Sequence, residues 1–146
     1  VNLTLENELD VRFIELMPLG EASAWDRGHF LPNSEVLARV PNLILLPFKG
    51  HGSVARMYKL PNSKGKVGLI SPLSSHFCNY CNRIRITADG KLKPCLHSDV
   101  ELDIRDYALN NLGKFLEDGI NAKPNKHSIR TSGYIPIARN MNEIGG

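Results

Sequence analysis

Three thiols carry most of the chemistry this sequence can offer. Cys78 and Cys81 enclose Asn79 and Tyr80 in a Cys-x-x-Cys, and thirteen residues separate Cys81 from Cys95. An odd number of cysteines without an export signal argues against a disulfide framework. Three thiolates converging on one point suit two kinds of metal site. One is a tetrahedral zinc site with His76 or His97 as fourth ligand. The other is an iron–sulfur cluster with three protein ligands and one open iron, a Lewis acid able to take a substrate atom. Spacing does not choose between them. Three unrelated thiols and a Cys-x-x-Cys redox pair are the remaining readings, and the redox pair lacks a surrounding βαβ unit.

Arg83 and Arg85 follow two residues after Cys81. At i and i+2 of a strand they share one face. Two guanidiniums beside a metal site suit a polyanion such as a triphosphate, whereas alone they read as a solvated strand face. Asn82 offers a side-chain amide nearby. Arg12 and Met17 bracket an apolar run over 11–17 that Pro18 stops. Met17 lies at its carboxyl end, where parallel α/β folds bind ligands. At the far end, Gly145-Gly146 has no side chains and can thread a narrow channel.

The elements that must position these residues follow from pattern. Arg83 to Thr87 alternates, Asp89-Gly90 supplies a turn, and Lys91 to Leu96 returns. This hairpin brings Cys95 back toward Cys81. The 11–17 run lacks alternation and reads as a strand covered on both faces, which requires parallel neighbours. Ser34 to Val40 reads as a short helix capped by Asn33. Strands are expected over 43–48, 54–60 and 66–70. The stretch 19–32 reads as a long loop, 103–110 and 112–121 as helices, and 125–146 as a mobile tail.

Composition bounds the rest. A chain of 146 residues suits one domain, and 42% hydrophobic with 23% charged residues makes whole-chain disorder unexpected. A net charge of +3 is too small to imply nucleic-acid binding but admits an anionic ligand held by placed arginines. No apolar run approaches the roughly 18–20 residues of a membrane span. Without a signal peptide, and with Val1 in first place, the expected location is the cytoplasm.

Together the pieces carry a resemblance. Val11-Arg12-Phe13-Ile14-Glu15-Leu16-Met17-Pro18, Gly68-Leu69-Ile70-Ser71-Pro72, the segment from Phe77 to Leu96 and the closing Met141 to Gly146 resemble, in order, the carboxyl-terminal part of the molybdenum cofactor biosynthesis protein A family. These are radical S-adenosylmethionine enzymes that act as GTP 3′,8-cyclases. The resemblance implies that Cys78, Cys81 and Cys95 hold a second [4Fe–4S] cluster whose open iron meets the guanine of GTP. It implies that Arg83, Arg85 and the backbone at Ile84 line the GTP site, that Met17 and Arg12 belong to the S-adenosyl-L-methionine site, and that Gly145-Gly146 supports turnover. It also implies a homodimeric parent acting with the next enzyme of cyclic pyranopterin synthesis.

The implied fold is α/β, or α+β for this piece alone. Residues 1–18 would be the last strand of an incomplete TIM-type barrel, 19–124 a small antiparallel sheet and helices carrying the cluster and GTP, and 125–146 a flexible tail. The family's first [4Fe–4S] cluster, held by a Cys-x-x-x-Cys-x-x-Cys, initiates the radical reaction. That motif is absent from this sequence, so the chain by itself is expected to be inactive.

Overall fold

The computed structural model describes residues 1–24, 27–48, 50, 52–127, 129, 137 and 139–144. It is a mixed α and β structure with two sheets and few helices. Among the described residues no helix is long and apolar enough to cross a membrane. The chain divides into two compact units, Val1–Met17 with Asp26–Cys81, and Pro18–Trp25 with Asn82–Gly146. The chain passes from one unit to the other after Met17, Trp25 and Cys81.

The first unit opens with a single helical turn, α1 (Leu3–Glu6), which leads into β1 (Asp10–Ile14). Its four-stranded sheet has the order β1-β4-β3-β2, with β2 (Ile44–Leu45), β3 (Arg56–Lys59) and β4 (Lys66–Ile70). β1 runs parallel to β4 from Asp10↔Lys66 to Ile14↔Ile70, and the other pairs are antiparallel. The core gathers Val54, Ala55, Val67 and Leu69. The expected parallel partner of the first strand is therefore β4, but the strand is shorter than 11–17 and is not covered on both faces. Asp10, Arg12 and Ile14 alternate outward from an edge position, and Ile14 is 58% exposed.

Helix α2 (Ser34–Arg39) forms where expected, but Asn33 makes no side-chain cap. Its amide nitrogen instead donates to the carbonyl of Ile70 and to the Ser71 hydroxyl, both at 2.9 Å. A buried asparagine at the end of two parallel strands meets carbonyls that the ladder leaves over, and these compete successfully with its own helix.

The second unit holds an antiparallel sheet of β5 (Arg85–Ile86), β6 (Lys91–Lys93) and β7 (Leu102–Asp103), with β6 in the middle. The hairpin register is Arg85↔Lys93 and Ile86↔Leu92. Its turn closes through Thr87 N–H to the Lys91 carbonyl at 2.8 Å, with Gly90 at φ +79°. Such a φ favours glycine, as the Asp89-Gly90 signal requires.

Helix α3 (Leu112–Asn121) has the predicted bounds and buries Phe115 and Gly119. A Cβ on Gly119 would stand 2.3 Å from Leu92 Cδ2, so the glycine lets the helix lie directly on β6. The helix expected over 103–110 is instead two 3₁₀ turns, Ile104–Asp106 and Leu109–Asn111. Asp103 accepts the Arg105 backbone N–H at 2.9 Å, and the Tyr107 hydroxyl donates to Asp118 at 3.0 Å. These bonds hold Tyr107 extended and break the helical run. The loop over 19–32 likewise contains 3₁₀ turns, Gly20–Ala24 and Arg27–His29.

Within the stretch expected to be a mobile tail, Ile137 and Ile144 are buried and a 3₁₀ turn over Met141–Glu143 carries a capping box from Asn140. Gly145 and Gly146 lie outside the described residues.

Candidate functional site

In the first unit, Cys78 opens a 3₁₀ turn, Cys78–Tyr80, and Cys81 closes it by donating its N–H to the Cys78 carbonyl at 3.1 Å. The spacing of a Cys-x-x-Cys is thus one tight turn with a half-buried cysteine at each end. Tyr80 holds this turn in place. Its carbonyl accepts from Gly52 N–H at 2.9 Å, and its ring packs edge-on against Phe48 at 5.2 Å. Arg56 lies over that Phe48 ring at 5.6 Å. A ring nitrogen of His76 lies within 4.8 Å of the Cys78 sulfur, close enough for both to serve one ion.

The loop leading to these cysteines is organised by Glu15, which is only 1% exposed. Its carboxylate accepts the backbone N–H groups of Asn33 at 3.1 Å, Leu73 at 3.0 Å and Ser74 at 2.9 Å, and the Ser74 hydroxyl as well. Burial pushes its pKa up, and the hydrogen bonds from Ser74, Asn33 and Leu73 outweigh that and hold it below the ordinary glutamate value. The residue stays ionised and fixes the path from β4 toward Cys78. Its only sequence signal is an acid set in an apolar run, Ile14-Glu15-Leu16-Met17.

Met17 lies beyond the end of β1 and is half-buried. Arg12 lies on β1, with its guanidinium 3.9 Å from Asp10 and about half exposed. Neither is joined to the cysteine turn by any contact described for this unit.

In the second unit, Arg85 sits on β5 opposite Lys93, and Arg83 and Ile84 precede the paired strand. Pairing begins two residues later than the sequence suggests. Continued outward, the register would set Ile84 against Pro94 and Arg83 against Cys95. Proline fixes φ near −65°, away from the roughly −140° of an antiparallel strand, so the returning arm leaves the ladder there. Cys95 is half-buried, like the other two, and its carbonyl accepts the Ser98 N–H at 3.3 Å.

Lys93 is 1% exposed, and its ammonium donates to the Ser98 carbonyl at 2.8 Å and to Glu101 at 3.2 Å. Glu101 also takes Arg139 at 2.8 Å, and Arg139 reaches on to Asp89 at the hairpin turn at 2.9 Å. This network was not legible in the sequence.

His97 is buried, and among the described residues its Nδ1 has no hydrogen-bond partner. Burial first, then the positive charge of His127, Arg85 and Lys93, lowers its pKa to about 3, so it is neutral near pH 7. A neutral imidazole with an unused nitrogen is a competent ligand. The donor set as a whole, three cysteines outside any disulfide with imidazoles close by in sequence, fits either an iron–sulfur cluster or zinc.

The Molybdenum Cofactor Synthesis C family matches residues 9–129. The chain is 51% identical over 148 aligned residues to the GTP 3′,8-cyclase of Alkaliphilus metalliredigens, covering 99% of this chain and 46% of that protein. It is 48% identical to the GTP 3′,8-cyclase of Alkaliphilus oremlandii and 44% identical to that of Peptoclostridium acidaminophilum, covering 100% of this chain and 46% and 45% of theirs. The chain spans about half the length of the curated relatives it matches. A family match over most of the chain, with identity of this order along its whole length, places the chain in the Molybdenum Cofactor Synthesis C family.

Proposed function

We propose that this chain is the carboxyl-terminal, cluster- and GTP-binding part of a GTP 3′,8-cyclase, a lyase of molybdenum cofactor biosynthesis. The observation that carries the reading is the β5–β6 hairpin, whose register sets the strand led in by Arg83 and Arg85 against the arm that ends at Cys95. In this reading Cys78, Cys81 and Cys95 hold a [4Fe–4S] cluster. When bound, the cluster supplies an open iron that acts as a Lewis acid toward the guanine of GTP. Arg83 and Arg85 bind the triphosphate and fix its orientation.

Met17 and Arg12 face S-adenosyl-L-methionine in the whole enzyme, β1 is the last strand of its incomplete barrel, and Gly145-Gly146 supports turnover. The whole enzyme is a homodimer holding a further [4Fe–4S] cluster, and it hands its product to the next enzyme of cyclic pyranopterin synthesis. One observation favours a second reading. Buried, neutral His97, two residues after Cys95, would complete a tetrahedral Cys₃His zinc site in a binding module.

Anaerobic reconstitution with iron and sulfide tests both. The first reading expects iron and sulfide bound with broad visible absorption, and GTP bound by the loaded chain. Replacing Arg83 by Ala should weaken that binding about ten-fold, the worth of one charged hydrogen bond. One zinc per chain with no such absorption favours the binding module. Incubated with GTP, reductant and S-adenosyl-L-methionine, the chain alone should leave GTP unconverted, and turnover would sink that expectation.

A further inference from the structure

Strand pairing in the hairpin ends at Arg85↔Lys93, two residues short of Arg83 and Cys95. Two carbonyls stand just beyond it, those of Arg83 and Pro94, and both are claimed by one side chain. The Lys123 ammonium donates to the Arg83 carbonyl at 2.7 Å and to the Pro94 carbonyl at 2.9 Å. We infer that Lys123 is a positioning residue, an ammonium bridge that joins the two arms of the hairpin where the backbone ladder no longer can.

The physical case has three parts. An ammonium has three N–H donors and no acceptor, so it satisfies two carbonyls from opposite arms at once. Hydrogen bonds from a charged donor are about twice as strong as neutral ones, which suits a place where ordinary pairs have been lost to proline. The bridge also has a fixed anchor. Lys123 lies two residues past the end of α3, with its own N–H bonded to the Ile120 carbonyl at 3.1 Å, and Pro124 stops any continuation of the helix. Since α3 lies on Leu92 through Gly119, the helix and the hairpin are one body at that point.

The two bridged carbonyls belong to Arg83 itself and to the residue before Cys95. Lys123 therefore sets the separation between a substrate-binding guanidinium and a metal-binding thiol while remaining outside both roles. This inference rests on the functional reading above for what the hairpin binds, but not for the bridge itself.

The test compares Lys123→Met with Lys123→Arg. Hydrogen exchange is measured by peptide on the metal-free chain, and GTP affinity on the chain reconstituted with iron and sulfide. In Lys123→Met, exchange over 83–98 should quicken about ten-fold while that of 112–121 is kept, and GTP should bind about ten-fold more weakly. Lys123→Arg, which keeps charge and donors, should restore most of both. Unchanged exchange over 83–98 in Lys123→Met overturns the bridge, as does an equal loss in Lys123→Arg. Quickened exchange with undiminished GTP affinity overturns the positioning role. If the wild-type chain takes up no cluster and binds no GTP, the functional reading fails by itself, and the exchange measurement alone upholds or removes the bridge.

Discussion

Among the described residues, each unit buries an ion on a segment that leads to its cysteines, Glu15 in the first and Lys93 in the second, and the two are satisfied in opposite ways. In the first unit the Glu15 carboxylate is surrounded by neutral donors, three backbone N–H groups and a hydroxyl. In the second the Lys93 ammonium takes one carbonyl and then a counter-charge, Glu101, which is shared with Arg139. Backbone N–H groups can gather around an anion, because a loop in transit between elements exposes several in a row. A cation needs carbonyls, which β6 and β7 already spend on their ladder, so a carboxylate is recruited. The lesson is that the same task, holding a loop next to a thiol, yields a solvated anion where backbone is spare and an ion pair where it is not.

Three perturbations would break or sharpen that contrast. The largest effect is expected for Glu15→Ala, which strands the N–H groups of Asn33, Leu73 and Ser74. Its expected loss is about 3 kcal/mol in denaturant unfolding. Exchange protection should vanish over 71–77 and persist over 85–93; equal loss in both would mean that the two units unfold as one. Glu101→Gln should cost about 2 kcal/mol, because the buried Lys93 ammonium keeps only neutral partners. Here the loss should appear over 91–103 and spare 71–77.

The smallest effect concerns solution conditions. Glu15 has a folded pKa below its ordinary 4.5, so its contribution is complete above that value and fades as pH falls through the lower folded one. Glu101 is held below 4.5 as well, since Arg139 and Lys93 outweigh its burial, so acid weakens both units. Salt separates them. At about 1 M, where the screening length is ~3 Å, protection should fall in the second unit by more than in the first. Equal sensitivity to salt would erase the distinction.

What the sequence disclosed was local. Asp89-Gly90 announces its turn because a positive φ at Gly90 is needed within four residues. The bounds of α3 are legible because Pro124 and an apolar period act within a few turns. The cysteine spacing is legible because its turn is three residues long. By contrast, Glu15 bonds partners 18 and 58 positions away, and Arg139 meets Asp89 across 50. No window along the chain holds both ends of such a bond. Asn33 shows the same limit from the other side, since the local capping rule is sound but Ile70 and Ser71 compete for the same amide. β1 ends at Ile14, so Leu16 and Met17 belong to the apolar run along the sequence but not to the strand.

Gly119 has a consequence for how this sequence can vary. A helix interior normally disfavours glycine by about 1 kcal/mol relative to alanine, so drift toward alanine should be easy. Here it is blocked, because Leu92 is fully buried and its methyl groups occupy the space a Cβ would need. Any larger residue at 119 would lift the helix off the strand and swing its carboxyl end away, carrying Lys123 out of reach of its two carbonyls. Position 119 acts as a gauge block, and relatives that keep the Lys123 bridge should keep a bare backbone there, while those that have lost the bridge are free to fill it.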